Sequence, residues 1–288
     1  MSPLVVIVGE TASGKSALGM ELAEKFDGEI ICADSWTVYR GFDIGTAKPT
    51  AEDRARVRHH LLDVADPAVG FSAAVFQRLA KQAISDITRR GKLPIMVGGT
   101  GLYIDSILYD YGFLPPSDPG LRAELNAMDL KQLLIRADGL ELDMDGIDLR
   151  NKRRVIRLIE NNGVRPTQKA MRSNTLVLGV QRSLDELRDR ITSRVDQMIA
   201  DGFVEEVQRL GEIYGWDCEP MRAPDYRALA VYVQGATPLR IAKEQIVQND
   251  LQLAKKQRTW FKRNQSIQWL TDRSYADGVL TTFLNKTN

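Results

Sequence analysis

Gly9-Glu10-Thr11-Ala12-Ser13-Gly14-Lys15-Ser16 reads G-x-x-x-x-G-K-S and lies between the apolar run Leu4-Val5-Val6-Ile7-Val8 and a helix-like Ala17-Leu18-Gly19-Met20-Glu21-Leu22-Ala23. Strand, glycine turn and helix in that order are the context that makes the pattern a phosphate-binding loop. The glycines let backbone N–H groups turn inward around phosphate oxygens, the helix start adds partial positive charge, and Lys15 adds a full one. Ser16 is placed to ligate a Mg²⁺ held by the same phosphates. The loop does not by itself specify the phosphate compound.

The chain around it has 288 residues, 43% apolar and 27% charged, a composition that can bury a real core in one large domain or two. No apolar run approaches ~18 residues and no basic leader precedes the first strand, so a membrane span and a signal peptide are not expected and the expected compartment is the cytoplasm. Cys32 and Cys218 lack a partner pattern and read as reduced thiols. A net charge of +1 excludes a uniformly basic coat, so a nucleic-acid partner must meet local patches.

Glu29-Ile30-Ile31-Cys32-Ala33-Asp34 reads as a second buried strand with an acid at its C-terminal edge, the edge at which open parallel sheets bind ligands. Asp34 is either a turn residue bonded to the backbone that follows or a carboxylate facing the cradle. Ser35 to Pro49 is too rich in Gly, Thr and aromatics for a regular element and reads as a functional loop. Ala51 to His60 reads as helix, with His59 and His60 pointing apart and so packed or hydrogen-bonded rather than sharing a metal. Ser72 caps a helix with Phe76, Leu79, Ala80, Ala83, Ile84 and Ile87 on its core face. Leu93 to Val97 then runs into Gly98-Gly99-Thr100-Gly101, where such strands often carry an acid for Mg²⁺. Thr100 offers either a hydroxyl to a ligand or a cap to the next helix, and the glycines allow close backbone approach.

Pro115, Pro116 and Pro119 mark a boundary. Leu121 to Arg172 reads as helical and Asn174 to Val180 as a strand again, which makes 113–173 a helical insertion between 1–112 and 174–288, two parts of one α/β core. Within it, Asp138 to Asp148 is acidic, whereas Lys152 to Arg172 is basic. The basic run is either a solvated face or the footprint of an RNA backbone. Further on, Arg190 and Arg194 share a helix face that can reach the cradle. Lys255-Lys256-Gln257-Arg258-Thr259-Trp260-Phe261-Lys262-Arg263 closes a long helix with five bases and two aromatics, a mix suited to phosphates and stacked bases, although basic residues also complement a helix C-terminus.

These blocks together resemble the tRNA dimethylallyltransferases, also called tRNA isopentenyltransferases. The resemblance rests on Gly9 to Ser16, Ala33-Asp34-Ser35, Val38 to Gly41, Asp43-Ile44-Gly45-Thr46-Ala47-Lys48-Pro49, His59 to Asp63, Gly98 to Tyr103, Arg154-Val155-Ile156-Arg157 and Lys256 to Phe261. It implies a P-loop NTPase-like parallel sheet flanked by helices, with the all-helical insertion gripping an anticodon stem-loop; no interface stripe is left over once the core is assigned, so a monomer is expected. It also implies that Gly9, Glu10, Thr11, Ala12, Ser13, Gly14, Lys15 and Ser16, with Arg194 and Mg²⁺, hold dimethylallyl diphosphate rather than ATP. The acceptor would be the exocyclic amino nitrogen of the adenosine 3′ to a tRNA anticodon, with Asp34 taking its proton and Thr100 orienting the reacting groups. The tRNA contacts implied are Asp34, Ser35, Trp36, Thr37, Thr100, Arg122, Arg153, Arg154, Val155, Ile156 and Arg157, together with Lys255, Lys256, Gln257, Arg258, Thr259, Trp260, Phe261 and Lys262. The chain departs from the family at Thr37, where glutamine is common, and at Pro224-Asp225 before Tyr226-Arg227. An adenine-nucleotide prenyltransferase, a P-loop kinase of a small metabolite and a non-catalytic RNA-binding relative are the rival functions.

Overall fold

The computed structural model describes residues 1–115 and 117–286. It divides into two compact units, Met1–Leu108 with Arg172–Asn288, and Tyr109–Met171. Of the prolines expected to mark the boundary, Pro116 lies outside the described residues, as do Thr287 and Asn288 at the end of the expected core.

In the larger unit β1 (Leu4–Gly9), entirely buried, feeds the glycine turn and then α1 (Lys15–Lys25). There follow β2 (Gly28–Cys32), α2 (Ala51–Arg56), the two-residue β3 (His59–His60), α3 (Ala73–Arg89), β4 (Leu93–Gly98) and α4 (Gly101–Leu108). Polar caps set several starts: Thr50 and Asp53 form a reciprocal capping box on α2, and Ser72 accepts from Val75 N–H on α3. His59 and His60 are not helical as expected. They pair in parallel with Ile30 and Ile31, a register set by residues too distant for a local pattern to reveal.

The smaller unit holds α5 (Pro119–Ala127), α6 (Leu130–Gly139) and α7 (Lys152–Glu160), closed around Leu125, Leu133, Ala137, Val155, Ile156 and Ile159. Each buried Leu or Ile contributes ~1.5–3 kcal/mol. Helix does not run on to Arg172. Asn162 and Gly163 adopt left-handed φ of 46° and 78° and stop it after Glu160, so Arg165, Lys169 and Arg172 lie on irregular chain.

The larger unit resumes with β5 (Thr175–Val180), α8 (Leu184–Ala200), α9 (Phe203–Tyr214), α10 (Pro224–Val233), α11 (Leu239–Phe261), β6 (Ile267–Leu270), a 3₁₀ turn Arg273–Tyr275 and α12 (Ala276–Asn285). Pro224 takes the first position of α10, where its fixed φ and missing N–H cost nothing, which accommodates that departure from the family pattern. The six strands form one sheet in the order β3-β2-β4-β1-β5-β6, and every pairing is parallel. All strand C-termini therefore meet one edge, with β1 central. One core packs α1 and α12 against the sheet through Leu18, Leu22, Ala276 and Leu280, and a second joins α8 to α11 through Leu187, Ile191, Phe203, Tyr226 and Ile246. This is the P-loop NTPase-like architecture. Among the described residues no helix is long and apolar enough to cross a membrane.

Candidate active site

The turn after β1 holds Ala12 at φ 60° and Gly14 at φ 95°, left-handed values that direct successive N–H groups to one side. Gly14 caps α1 without a side-chain hydrogen bond, which leaves the helix's first donors open to an anion. Gly9 is obligatory for a different reason: a Cβ there would stand 2.4 Å from the Val180 carbonyl oxygen of β5. Lys15 Nζ donates to the Glu10 carbonyl at 3.1 Å. Burial pulls its ammonium from 10.5 down to about 8, while the charge of Asp34 pulls the other way.

The turn is braced from afar. Gln257 of α11 is buried; its Oε1 accepts from Thr11 N–H at 2.7 Å and its Nε2 donates to the Gly99 carbonyl at 3.2 Å. Arg258 pairs with buried Glu10 and donates to the Arg182 carbonyl at 2.7 Å. Arg190 Nε donates to the Ala12 carbonyl at 2.7 Å and Arg182 Nε to the Ser13 carbonyl at 3.3 Å.

Beside the turn, just past β2, Asp34 makes the backbone turn that the sequence suggests and also borders the cleft. Oδ1 accepts from Trp36 N–H at 2.9 Å and Thr37 N–H at 3.4 Å, and no hydrogen bond engages Oδ2 among the described residues. Just past β4, Thr100 Oγ1 accepts from Ser35 N–H at 3.1 Å, tying the two strand ends together, while its carbonyl accepts from Tyr103 and Ile104 N–H at the start of α4. The neighbouring glycines are needed by the protein's own packing, and Gly98 also borders the cleft. A Cβ at Gly98 would meet the Ala33 oxygen at 2.1 Å, one at Gly99 the Gln257 amide at 2.3 Å, and one at Gly101 the Trp260 ring at 2.3 Å.

Lys15, Ser16, Asp34, Thr37, Arg190 and Arg194 line one cleft of about 530 Å³, with the Thr46-Ala47-Lys48-Pro49 stretch also in its wall. That stretch is irregular, as expected, but held. Buried Lys48 donates to the Tyr39 carbonyl at 2.8 Å, Asp43 at 2.6 Å and Asp63 at 2.7 Å. Buried Glu206 of α9 accepts from the N–H groups of Asp43, Ile44 and Gly45 at 3.1, 2.9 and 3.1 Å and from the Tyr226 hydroxyl at 2.5 Å. Arg194 is paired with Asp250 at 2.5 Å. Burial and the charge of Asp250 push the Asp225 carboxyl well above the usual range. Asp225 and Asp250 border a second cavity of about 250 Å³, with Trp36, Pro224, Tyr226 and Lys256 in its wall. Cys32 also borders the main cleft, but burial pushes its thiol up to about 12, so it is no nucleophile; both cysteines are free.

The candidate tRNA contacts divide. Arg153, Arg154, Lys255, Lys256, Thr259 and Lys262 are exposed. Val155, Ile156, Phe261 and Gln257 are buried, so their assignment as contacts is corrected: the first three are core residues and the fourth is a brace. Arg258 is engaged with Glu10, and Arg122 and Arg157 both pair with Glu160. Trp260 donates its indole N–H to Asp105 at 2.8 Å and lies under the Arg263 guanidinium at 5.7 Å, which leaves little of the ring for a base to stack on. Sequence reasoning alone misses Arg182, Lys48 and Glu206 as braces of the site. Of these only Lys48, inside the Asp43–Pro49 block, has a local signal.

The chain matches the family model described as IPP transferase over residues 37–264. It is 41% identical over 277 residues to the tRNA dimethylallyltransferase of Anoxybacillus flavithermus, covering 92% of this chain and 89% of that protein. It is 45% identical over 276 residues to that of an Exiguobacterium species, covering 91% and 88%. Among solved structures, the tRNA isopentenylpyrophosphate transferase of Bacillus halodurans superposes with a TM-score of 0.77 at 34% identity, covering 99% of this chain and 98% of that one. A eukaryotic dimethylallyltransferase acting on tRNA gives 0.72 at 25% identity, covering 91% and 70%. A match of this breadth, over a sheet edge with this cradle, settles the family: the chain belongs to the IPP transferases.

Proposed function

We propose that this protein transfers a dimethylallyl group from dimethylallyl diphosphate to the exocyclic amino nitrogen of the adenosine 3′ to a tRNA anticodon, as the names of its relatives suggest. The observation that carries the reading is that a phosphate cradle and a carboxylate with one uncommitted oxygen, Asp34 Oδ2, line the same cleft. In the transfer, the allylic carbon exchanges its bond to the diphosphate oxygen for one to the amino nitrogen, the diphosphate leaves, and Asp34 accepts the proton lost.

The adenine amino group is a weak nucleophile because its lone pair is delocalised into the ring. Two contributions compensate. Lys15, Arg190 and Arg194 concentrate positive charge where the diphosphate departs. The Oδ1 turn and the Thr100 tie fix Asp34 in one geometry, and such orientation supplies up to ~7–11 kcal/mol of a barrier. The target adenosine must first leave its stack, at a cost of a few kcal/mol.

Among the described residues no cluster of three or more His, Cys, Asp or Glu could hold a metal alone. A Mg²⁺ fits here as an ion carried largely by diphosphate oxygens and water, with Ser16, exposed at the cleft, as protein ligand. When bound it would neutralise leaving-group charge. Arg153 and Arg154 on the smaller unit and Lys255, Lys256 and Lys262 on the larger supply exposed cations for the anticodon stem-loop. We read the protein as a cytoplasmic monomer.

Asp34→Asn tests the reading, because Asn keeps the acceptor for Trp36 and Thr37 while losing the base. Single-turnover transfer should slow ~10²–10⁴-fold with tRNA affinity unchanged. A rate near that of the wild type would remove Asp34 from the chemistry.

A further inference from the structure

A cation from the C-terminal segment, outside the 37–264 matched by the family model, stands at the phosphate turn. A methyl group built on Gly14 would lie 3.5 Å from Arg273 Nη1 and 3.8 Å from Arg190 Nη2, so the two guanidinium groups border the same point above the turn. Gly14 and Arg190 line the cleft. Arg273 Nη2 donates to Glu21 at 2.7 Å, Nη1 has no acceptor among the described residues, and Nε is buried without a partner. Glu21 is 62% exposed, too solvated to fix an arginine in this position by itself.

The backbone that carries Arg273 is held independently of that pair. Lys25 of α1 pairs with Asp277, and Ala276 and Leu280 pack with Leu18 and Leu22. Two guanidinium groups converging on the open N-terminus of a helix repel one another unless an anion lies between them. Resting on the reading of the turn as a diphosphate site, we propose that Arg273 is a further diphosphate ligand, delivered by the C-terminal segment and acting beside Arg190 through its free Nη1. From the rim, where Nη2 meets Glu21, rotation of the side chain brings Nη1 onto a diphosphate oxygen.

The test is calorimetric titration of inorganic diphosphate with Mg²⁺ into the wild-type protein, Arg273→Ala, Arg273→Lys and Glu21→Gln, with tRNA binding measured on each. Loss of a charge-assisted hydrogen bond should weaken diphosphate binding about ten- to a hundredfold in Arg273→Ala, with tRNA affinity unchanged. Arg273→Lys should recover part of the loss, and Glu21→Gln should stay within about twofold of wild type. Equal affinity in Arg273→Ala and wild type would overturn the proposal, as would Glu21→Gln falling as far as Arg273→Ala, since the arginine would then act only through its latch. Failure of the wild-type protein to bind diphosphate would overturn the donor reading and this proposal with it.

Discussion

Replacing Lys15 with methionine should abolish diphosphate binding and at the same time make the ligand-free protein more stable. The lysine is held in a site that disfavours its charge: burial takes its ammonium from 10.5 to about 8 although Asp34 lies nearby. At full burial a fall of that size is worth ~3 kcal/mol, and because the side chain is only half-buried, solvent screening reduces the expected cost to ~1–2 kcal/mol. The folded-state value lies below the unfolded one, so the penalty is complete below pH 8, fades as the pH rises towards 10.5 and vanishes above it. Wild-type stability should therefore rise with pH across that window relative to Lys15→Met, which lacks the slope. Urea unfolding of both proteins at pH 6.5 and again at pH 10 measures it, with the Lys15→Met protein ahead by ~1–2 kcal/mol at the lower pH and nearly level at the higher. Diphosphate titration should show proton uptake by the wild-type protein above pH 8, because the anion restores the ammonium. A Lys15→Met protein less stable than wild type at pH 6.5, or one that still binds diphosphate, would refute the assignment of Lys15 as a strained ligand.

Changing Arg153 and Arg154 together to Ala should weaken tRNA binding and lower its log–log salt slope by about 2, leaving diphosphate affinity alone; filter binding across a salt series reads both. Gln257→Ala strands the Thr11 N–H, so it should destabilise by ~1–3 kcal/mol in urea unfolding and raise KM for the donor more than for tRNA. Glu206→Ala leaves three backbone donors and the Tyr226 hydroxyl without an acceptor. A loss of ~3 kcal/mol or more is expected, against ~1 for Tyr226→Phe, measured by the same unfolding experiment.

Local patterns carry much of the fold. The Gly9–Ser16 turn, the acid after β2 and the apolar stripes of α3 and α8 depend on neighbours within a few residues, and periodicity reveals such neighbours. His59 and His60 look helical in isolation because only their pairing with Ile30 and Ile31 makes them a strand. The overlong basic helix has a visible stop in Asn161-Asn162-Gly163 that the charge pattern obscures. In the site, Asp34 is legible as an acid at a sheet edge, but its division into a bonded Oδ1 and a free Oδ2 is a matter of three-dimensional turn geometry. The braces are illegible. Gln257 and Arg258 sit in a stretch whose composition suits RNA, and their true partners, Thr11 and Glu10, are 246 and 248 residues away in sequence. The glycines at the end of β4 and beyond suggest ligand space, but what requires them is close packing against Ala33, Gln257 and Trp260.

The assignment of donor, acceptor and reaction stands or falls on one incubation: the purified protein with Mg²⁺, labelled dimethylallyl diphosphate and unmodified tRNA, with AMP and ATP offered in parallel as acceptors, followed by nucleoside analysis. Label in the adenosine immediately 3′ to the anticodon, with diphosphate released in equal amount, is the predicted result. Label confined to free nucleotide, or no transfer to any acceptor, would contradict it.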